Sequence, residues 1–139
     1  MAIVSSTTGR VTIKGVGTAT ITVTAPATSN YKATTYKVTV KVNPLKVTLK
    51  SVTSPKAGKM LVKWSKNTKT TGYQIQYATN SKFTNSKKIN VKGSATLYKT
   101  LSSLTKGRRY YVRVRCYKII NGKYYYSTYS NIKSITIKK

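Results

Sequence analysis

Apolar and polar residues alternate with a period of two along most of this chain, and no window sustains an apolar period of 3.6. The pattern predicts an all-β protein with essentially no helix. Gly9 to Gly15 reads as a short strand bounded by glycines, behind a stub at Ala2 to Ser5. Thr18 to Ala25 follows, with Ala19, Ile21 and Val23 on one face. The loop Pro26 to Asn30 is rich in turn formers. Thr35 to Val42 alternates again, turning Tyr36, Val38, Val40 and Val42 inward and Lys37 and Lys41 outward. Asn43-Pro44 ends this series, because proline has no N–H to give to a ladder. The expected division is therefore residues 1–43 and 44–139, joined too tightly to swing freely.

The second part carries seven candidate strands: Val47–Val52, Lys59–Ser65, Gly72–Thr79, Lys87–Val91, Thr96–Leu101, Tyr110–Lys118 and Asn131–Ile137. Met60, Val62 and Trp64 share one face of the second; Tyr73, Ile75 and Tyr77 share one face of the third, with Gln74 and Gln76 opposite. In the sixth, Tyr110, Val112, Val114 and Cys116 alternate with Tyr111, Arg113, Arg115 and Tyr117. Asn121-Gly122 suits a two-residue type I′ hairpin. Leu104, Gly107 and Tyr110 have the spacing of a tyrosine corner, in which a strand-initiating Tyr hydroxyl returns to nearby backbone. Together with Trp64 and Tyr73-Gln74-Ile75, they make residues 45–139 resemble a fibronectin type III domain, which implies a β-sandwich.

In residues 1–43, the run Gly-Arg-Val-Thr-Ile-Lys-Gly-Val-Gly-Thr-Ala-Thr-Ile-Thr-Val-Thr resembles the C-terminal half of a group 2 bacterial immunoglobulin-like domain. The two resemblances imply tandem modules of secreted or surface proteins of Gram-positive bacteria, acting as spacers or binding units. Ser5 and Ser29-Asn30 stand where such sequences often place an acid, which disfavours a cation site. No Arg-Gly-Asp motif is present. Half a domain leaves the apolar face of Val11, Ile13, Ala19, Ile21, Val23, Val38 and Val40 without a second sheet, so self-association through residues 1–43 is expected.

Charge changes the functional picture most. The chain has 27 Lys plus Arg and no Asp, Glu or His. At the usual charged fraction, about 15 acids would be expected. Their absence removes the carboxylate pair of glycoside hydrolysis, the oxygen cage of calcium and the histidine of the common nucleophilic triads. Zinc would have Cys116 alone. A Ser-Lys dyad is open in composition, but no stretch marks a desolvated lysine. The expectation is a non-enzymatic protein with no cofactor and no metal. The single Cys116 excludes an internal disulfide and sits on the apolar side of its strand, as a buried thiol would. Met1-Ala2-Ile3-Val4 does not read as a secretion leader, and no apolar run approaches the ~18 residues of a membrane span.

Five cations (Arg10, Lys14, Lys32, Lys37, Lys41) lie in residues 1–43, leaving 22 for residues 44–139. A field of this sign attracts polyanions: nucleic acid, glycosaminoglycan or teichoic-acid-like chains. The candidate contact face is Tyr111, Arg113, Arg115 and Tyr117, flanked by Gln74 and Gln76 if their strand lies alongside. Arginine forks and aromatic rings there form either a groove for phosphate, sulfate or stacked bases, or a solvated sheet face. Tyr124, Tyr125, Tyr126 and Tyr129 are equally divided between a binding surface and a cover for the core. Three roles fit: an extracellular adhesion or spacer module, a supercharged scaffold engineered to bind polyanions, and a fibre subunit assembling through its first unit.

Overall fold

The computed structural model describes residues 2–5 and 9–139 and contains only strands, turns and loops there. The chain divides into two compact units, Met1–Asn43 and Pro44–Lys139.

In the first unit, β1 (Ala2–Val4) pairs antiparallel with β2 (Val11–Ile13). Separately, β3 (Gly17–Ala25) and β4 (Thr34–Val42) form a nine-residue antiparallel ladder running from Gly17 opposite Val42 to Ala25 opposite Thr34. The register puts Ala19 beside Val40, Ile21 beside Val38 and Val23 beside Tyr36. Opposed residues share a face, so β-branched and aromatic side chains gather on one side and threonines and lysines on the other. Ile3, Val4, Val11, Ile13, Val23, Tyr36 and Val38 are all exposed.

The second unit is a sandwich. One sheet has the order β5 (Leu49–Thr53), β6 (Met60–Trp64), β9 (Tyr98–Leu101). The other runs β8 (Lys87–Lys92), β7 (Gly72–Ala78), β10 (Arg109–Ile120), with β11 (Lys123–Tyr126) and β12 (Lys133–Thr136) both pairing with β10. Inward residues of the two sheets, including Leu49, Met60, Val62, Trp64, Tyr73, Ile75, Val112, Val114 and Ile137, form one buried core. The Trp64 and Tyr73 rings pack at 5.3 Å. Cys116 is buried here too, its Sγ donating to the Leu45 carbonyl at 3.1 Å. Tyr110 is the second residue of the long strand β10, and its hydroxyl accepts the Thr105 N–H at 3.2 Å.

Most strand ends shift by one or two residues from the alternation, and two differences have a clear physical cause. Strand β10 extends to Ile120 because Asn121 (φ 49°) and Gly122 (φ 74°) both adopt the left-handed backbone of a tight hairpin, which carries the ladder to the turn. The last strand, expected only over Asn131–Ile137, comes in two pieces, β11 and β12. Between them the chain leaves the regular ladder, and two serines replace its missing acceptors. Ser127 Oγ accepts the Cys116 N–H at 3.1 Å, and Ser130 Oγ accepts that of Val114 at 2.9 Å. Their own N–H groups still donate to the Cys116 and Val114 carbonyls. Period-two reading cannot register a strand whose hydrogen bonds pass to hydroxyls.

Candidate anion-binding face

Antiparallel pairing of β7 and β10 sets Arg113 opposite Gln76 and Arg115 opposite Gln74. Each pair is joined. Arg113 Nε donates to Gln76 Oε1 at 2.7 Å, and Arg115 Nε donates to Gln74 Oε1 at 2.9 Å. The glutamine amides pass the chain outward: Gln76 Nε2 donates to Ser86 Oγ at 2.5 Å and Gln74 Nε2 to Asn90 Oδ1 at 2.8 Å. Two parallel relays thus cross the outer side of this sheet, each ending on a guanidinium.

Aromatic rings fill the spaces along β10. The Arg113 guanidinium lies over Phe83 at 4.2 Å and over Tyr129 at 3.9 Å. Arg115 lies over Tyr126 at 3.8 Å and over Tyr129 at 4.7 Å. Tyr126 stacks on Tyr124 at 5.7 Å, and Tyr117 tilts against both, at 5.2 Å from Tyr124 and 6.1 Å from Tyr126. The result is a continuous ladder, Phe83–Arg113–Tyr129–Arg115–Tyr126, ending in Tyr124 and Tyr117. Each cation–π contact is worth about 0.5–2 kcal/mol, depending on how dry it is.

This corrects the picture of a solvated face. Gln74 and Gln76 point outward but are only 6% and 5% exposed, and Tyr117 is 2% exposed. The side chains of Phe83, Tyr126 and Tyr129 lie against the arginines and cover much of this outer side. Tyr111 stands in the same row and is half-buried. Arg113 and Arg115 keep partial exposure. The sequence reading missed Phe83, Ser86 and Asn90. It noticed Tyr126 and Tyr129 without their arginine partners. The one available signal was Phe83, the chain's sole phenylalanine, alone in a polar loop.

The exposed part of each arginine follows by elimination. Each guanidinium lies over two aromatic rings, and each Nε is bonded to a glutamine. Among the described residues, Trp64 Nε1 is the sole buried side-chain nitrogen or oxygen lacking a partner. The Nη groups, which have no acceptor among the described residues, therefore open to solvent. Two positively charged N–H edges are presented side by side, with no carboxylate side chain anywhere in the sequence to neutralise them.

Burial raises the Tyr117 phenol above its ordinary value near 10, and the neighbouring Tyr124 and Tyr126 add to the shift. Burial also raises Tyr73, where the Asn67 backbone bond opposes the shift, and Tyr77, where Tyr110 adds to it. In each case the folded protein holds its proton more tightly than the unfolded chain. The stability this contributes is complete below about pH 10 and is lost as pH rises through the folded values. With no side-chain carboxylate or imidazole, nothing comparable operates in acid. The melting temperature should therefore be nearly flat from about pH 3 to 7 and fall above about pH 10; an acid transition within pH 3–7 would contradict this.

The family model of the fibronectin type III domain matches residues 43–133. The chain belongs to the fibronectin type III family. Solved structures share the fold at low identity. A myokine structure is 18% identical with a TM-score of 0.55, covering 70% of this chain and 100% of its own. The chicken CNTN1 FN1-FN3 domains are 20% identical with a TM-score of 0.58, covering 76% of this chain, which spans only 36% of theirs. The fn3 domain of human collagen alpha-1(XX) chain is 19% identical with a TM-score of 0.56, covering 71% and 90%. No curated protein matches. In the type III unit of this chain, the three-stranded sheet leaves the arginine ladder to the other sheet, built on β7, β10 and β11.

Proposed function

We propose that the type III unit is a non-enzymatic adhesion or spacer module of a secreted or cell-surface protein, and that its cationic surface holds polyanions. The observation that carries this reading is the pair of open guanidinium edges on Arg113 and Arg115, in a chain of 27 cations and no acidic side chain. Gln74 and Gln76 orient those edges, Tyr111 and Tyr117 bound the row, and Tyr110 fixes the start of the strand that carries them. Candidate partners are nucleic acid, glycosaminoglycan and teichoic-acid-like chains. The inventory of side chains supports no cofactor and no catalytic group. The glycine-spaced strands of residues 1–43 keep open the reading of this unit as part of a bacterial immunoglobulin-like domain, which favours a Gram-positive surface protein. Binding to a heparin column tests the reading: the protein should be retained at low salt and released as salt rises. Failure to bind at low salt, or retention unchanged at molar salt, would overturn it.

A second reading concerns the first unit. Val23, Tyr36 and Val38 share one face of the β3–β4 ladder and stay exposed, and among the described residues no third strand joins that two-stranded sheet. Such a surface favours pairing with a second copy. Light scattering at micromolar concentration in moderate salt should give a mass above that of one chain. A strict monomer in which residues 10–42 resist hydrogen exchange would count against it.

A further inference from the structure

Building on the polyanion reading, we propose that Arg113 and Arg115 form a discrete two-pronged site for sulfate or phosphate groups carried in succession on an extended polymer, and that this site is blind to nucleobases. Four observations lead there.

First, each guanidinium has Nε tied to a glutamine that is itself tied to Ser86 or Asn90. The forks are held before any ligand arrives, so little side-chain entropy remains to be lost on binding. Second, what each fork presents is its planar edge of N–H donors. That edge matches an oxyanion through two parallel charge-assisted bonds, a match a lysine cannot reproduce.

Third, the two arginines are two residues apart on one strand, about 7 Å along it. The Tyr129 ring contacts both guanidinium groups, at 3.9 Å from one and 4.7 Å from the other. With a ring against both forks, each fork takes its own anionic group. Two groups spaced at about 7 Å describe an extended ester-bearing polymer better than a lone ion.

Fourth, the rings are already used. Tyr129 is contacted by both arginines, Tyr126 by Arg115 and by Tyr124, and Phe83 lies under Arg113 and is buried. Stacking a base at the arginines would require displacing a cation from a ring. Single-stranded nucleic acid is ordinarily gripped by free aromatic faces. Here the phosphates of such a strand would be held and its bases ignored.

The test compares the wild type with Arg113→Lys/Arg115→Lys, which keeps the net charge and removes the forks. Binding is measured at fixed salt to three probes of matched charge: a sulfated oligosaccharide, a single-stranded oligonucleotide and an abasic phosphodiester oligomer of the same length. The wild type should bind the last two within about twofold of each other, and the variant should lose about tenfold or more toward all three. Unchanged affinity in the variant would overturn the site while leaving charge-driven binding intact; absence of polyanion binding by the wild type would overturn both. An oligonucleotide held about tenfold tighter than its abasic counterpart, with the excess lost in the variant, would show bases stacking at the arginines. Should the variant fail to fold, the wild type alone decides. Its Arg113 and Arg115 guanidinium resonances should shift on titration with inorganic sulfate or phosphate, but not with chloride at equal ionic strength. No shift with the tetrahedral ions, or an equal shift with chloride, would overturn the proposal.

Discussion

Replacing Gly72 with alanine should destabilise the type III unit by about 2–3 kcal/mol, a large share of the roughly 5–15 kcal/mol that holds such a domain folded. Gly72 opens β7, opposite Tyr117 on β10 and Lys92 on β8. A Cβ there would lie 2.6 Å from the Tyr117 hydroxyl oxygen and 2.8 Å from its ring, and would collide with the Val91 carbonyl oxygen. That carbonyl belongs to a paired strand and cannot step aside without breaking the β7–β8 register. The Tyr117 ring cannot swing out, because Tyr124 and Tyr126 lie against it. Either the strand shifts or the ring is expelled, and the second path would unseat Tyr126 from Arg115. Urea unfolding should show the loss as a lower midpoint with an unchanged slope. A change smaller than about 0.5 kcal/mol would mean that the end of the sheet yields more easily than its close contacts imply.

Gly72 also illustrates what the amino-acid pattern reveals and what it hides. Alternation along Tyr110–Lys118 separated the core side of β10 from its outer side, and Asn121-Gly122 marked the hairpin, because period and turn chemistry are local properties. The facing of Gln74 and Gln76 with Arg113 and Arg115 needed only one further step, the antiparallel pairing of their strands. Burial of that outer face was not legible. Period two distinguishes the two sides of a strand but does not say what crosses above either side. Phe83 reaches the ladder from a loop of otherwise polar residues, Tyr126 from the end of β11, and Tyr129 from the interruption between β11 and β12. The same interruption hid β11: Tyr124-Tyr125-Tyr126 shows no polar alternation, yet Tyr125 turns inward and is buried while Tyr124 is 43% exposed. In both places the decisive information lies in contacts between segments distant in sequence, where hydroxyls and guanidinium groups substitute for regular ladder bonds and apolar packing.

Affinity for any long polyanion should fall by about 10³–10⁵-fold between roughly 50 and 200 mM salt, if about six to ten of the chain's cations engage the partner. The estimate follows from counterion release. Each lysine or arginine that neutralises a backbone charge frees a condensed cation, and the gain shrinks as bulk salt rises. The 22 cations of residues 44–139 are enough to supply that number on more than one side of the domain, and no acidic side chain offsets them. Arg113 and Arg115 account for only two, so removing their charge should lower the slope of log affinity against log salt by no more than about two contacts' worth. Loss of the forks instead lowers the affinity at every salt concentration. Fluorescence titration of a single-stranded oligonucleotide and of a sulfated oligosaccharide across that range separates the two effects. A slope near zero would remove the electrostatic basis for polyanion binding. A slope that collapsed in the Arg113→Gln/Arg115→Gln variant would mean that the ladder, rather than the spread of surface lysines, carries the long-range attraction.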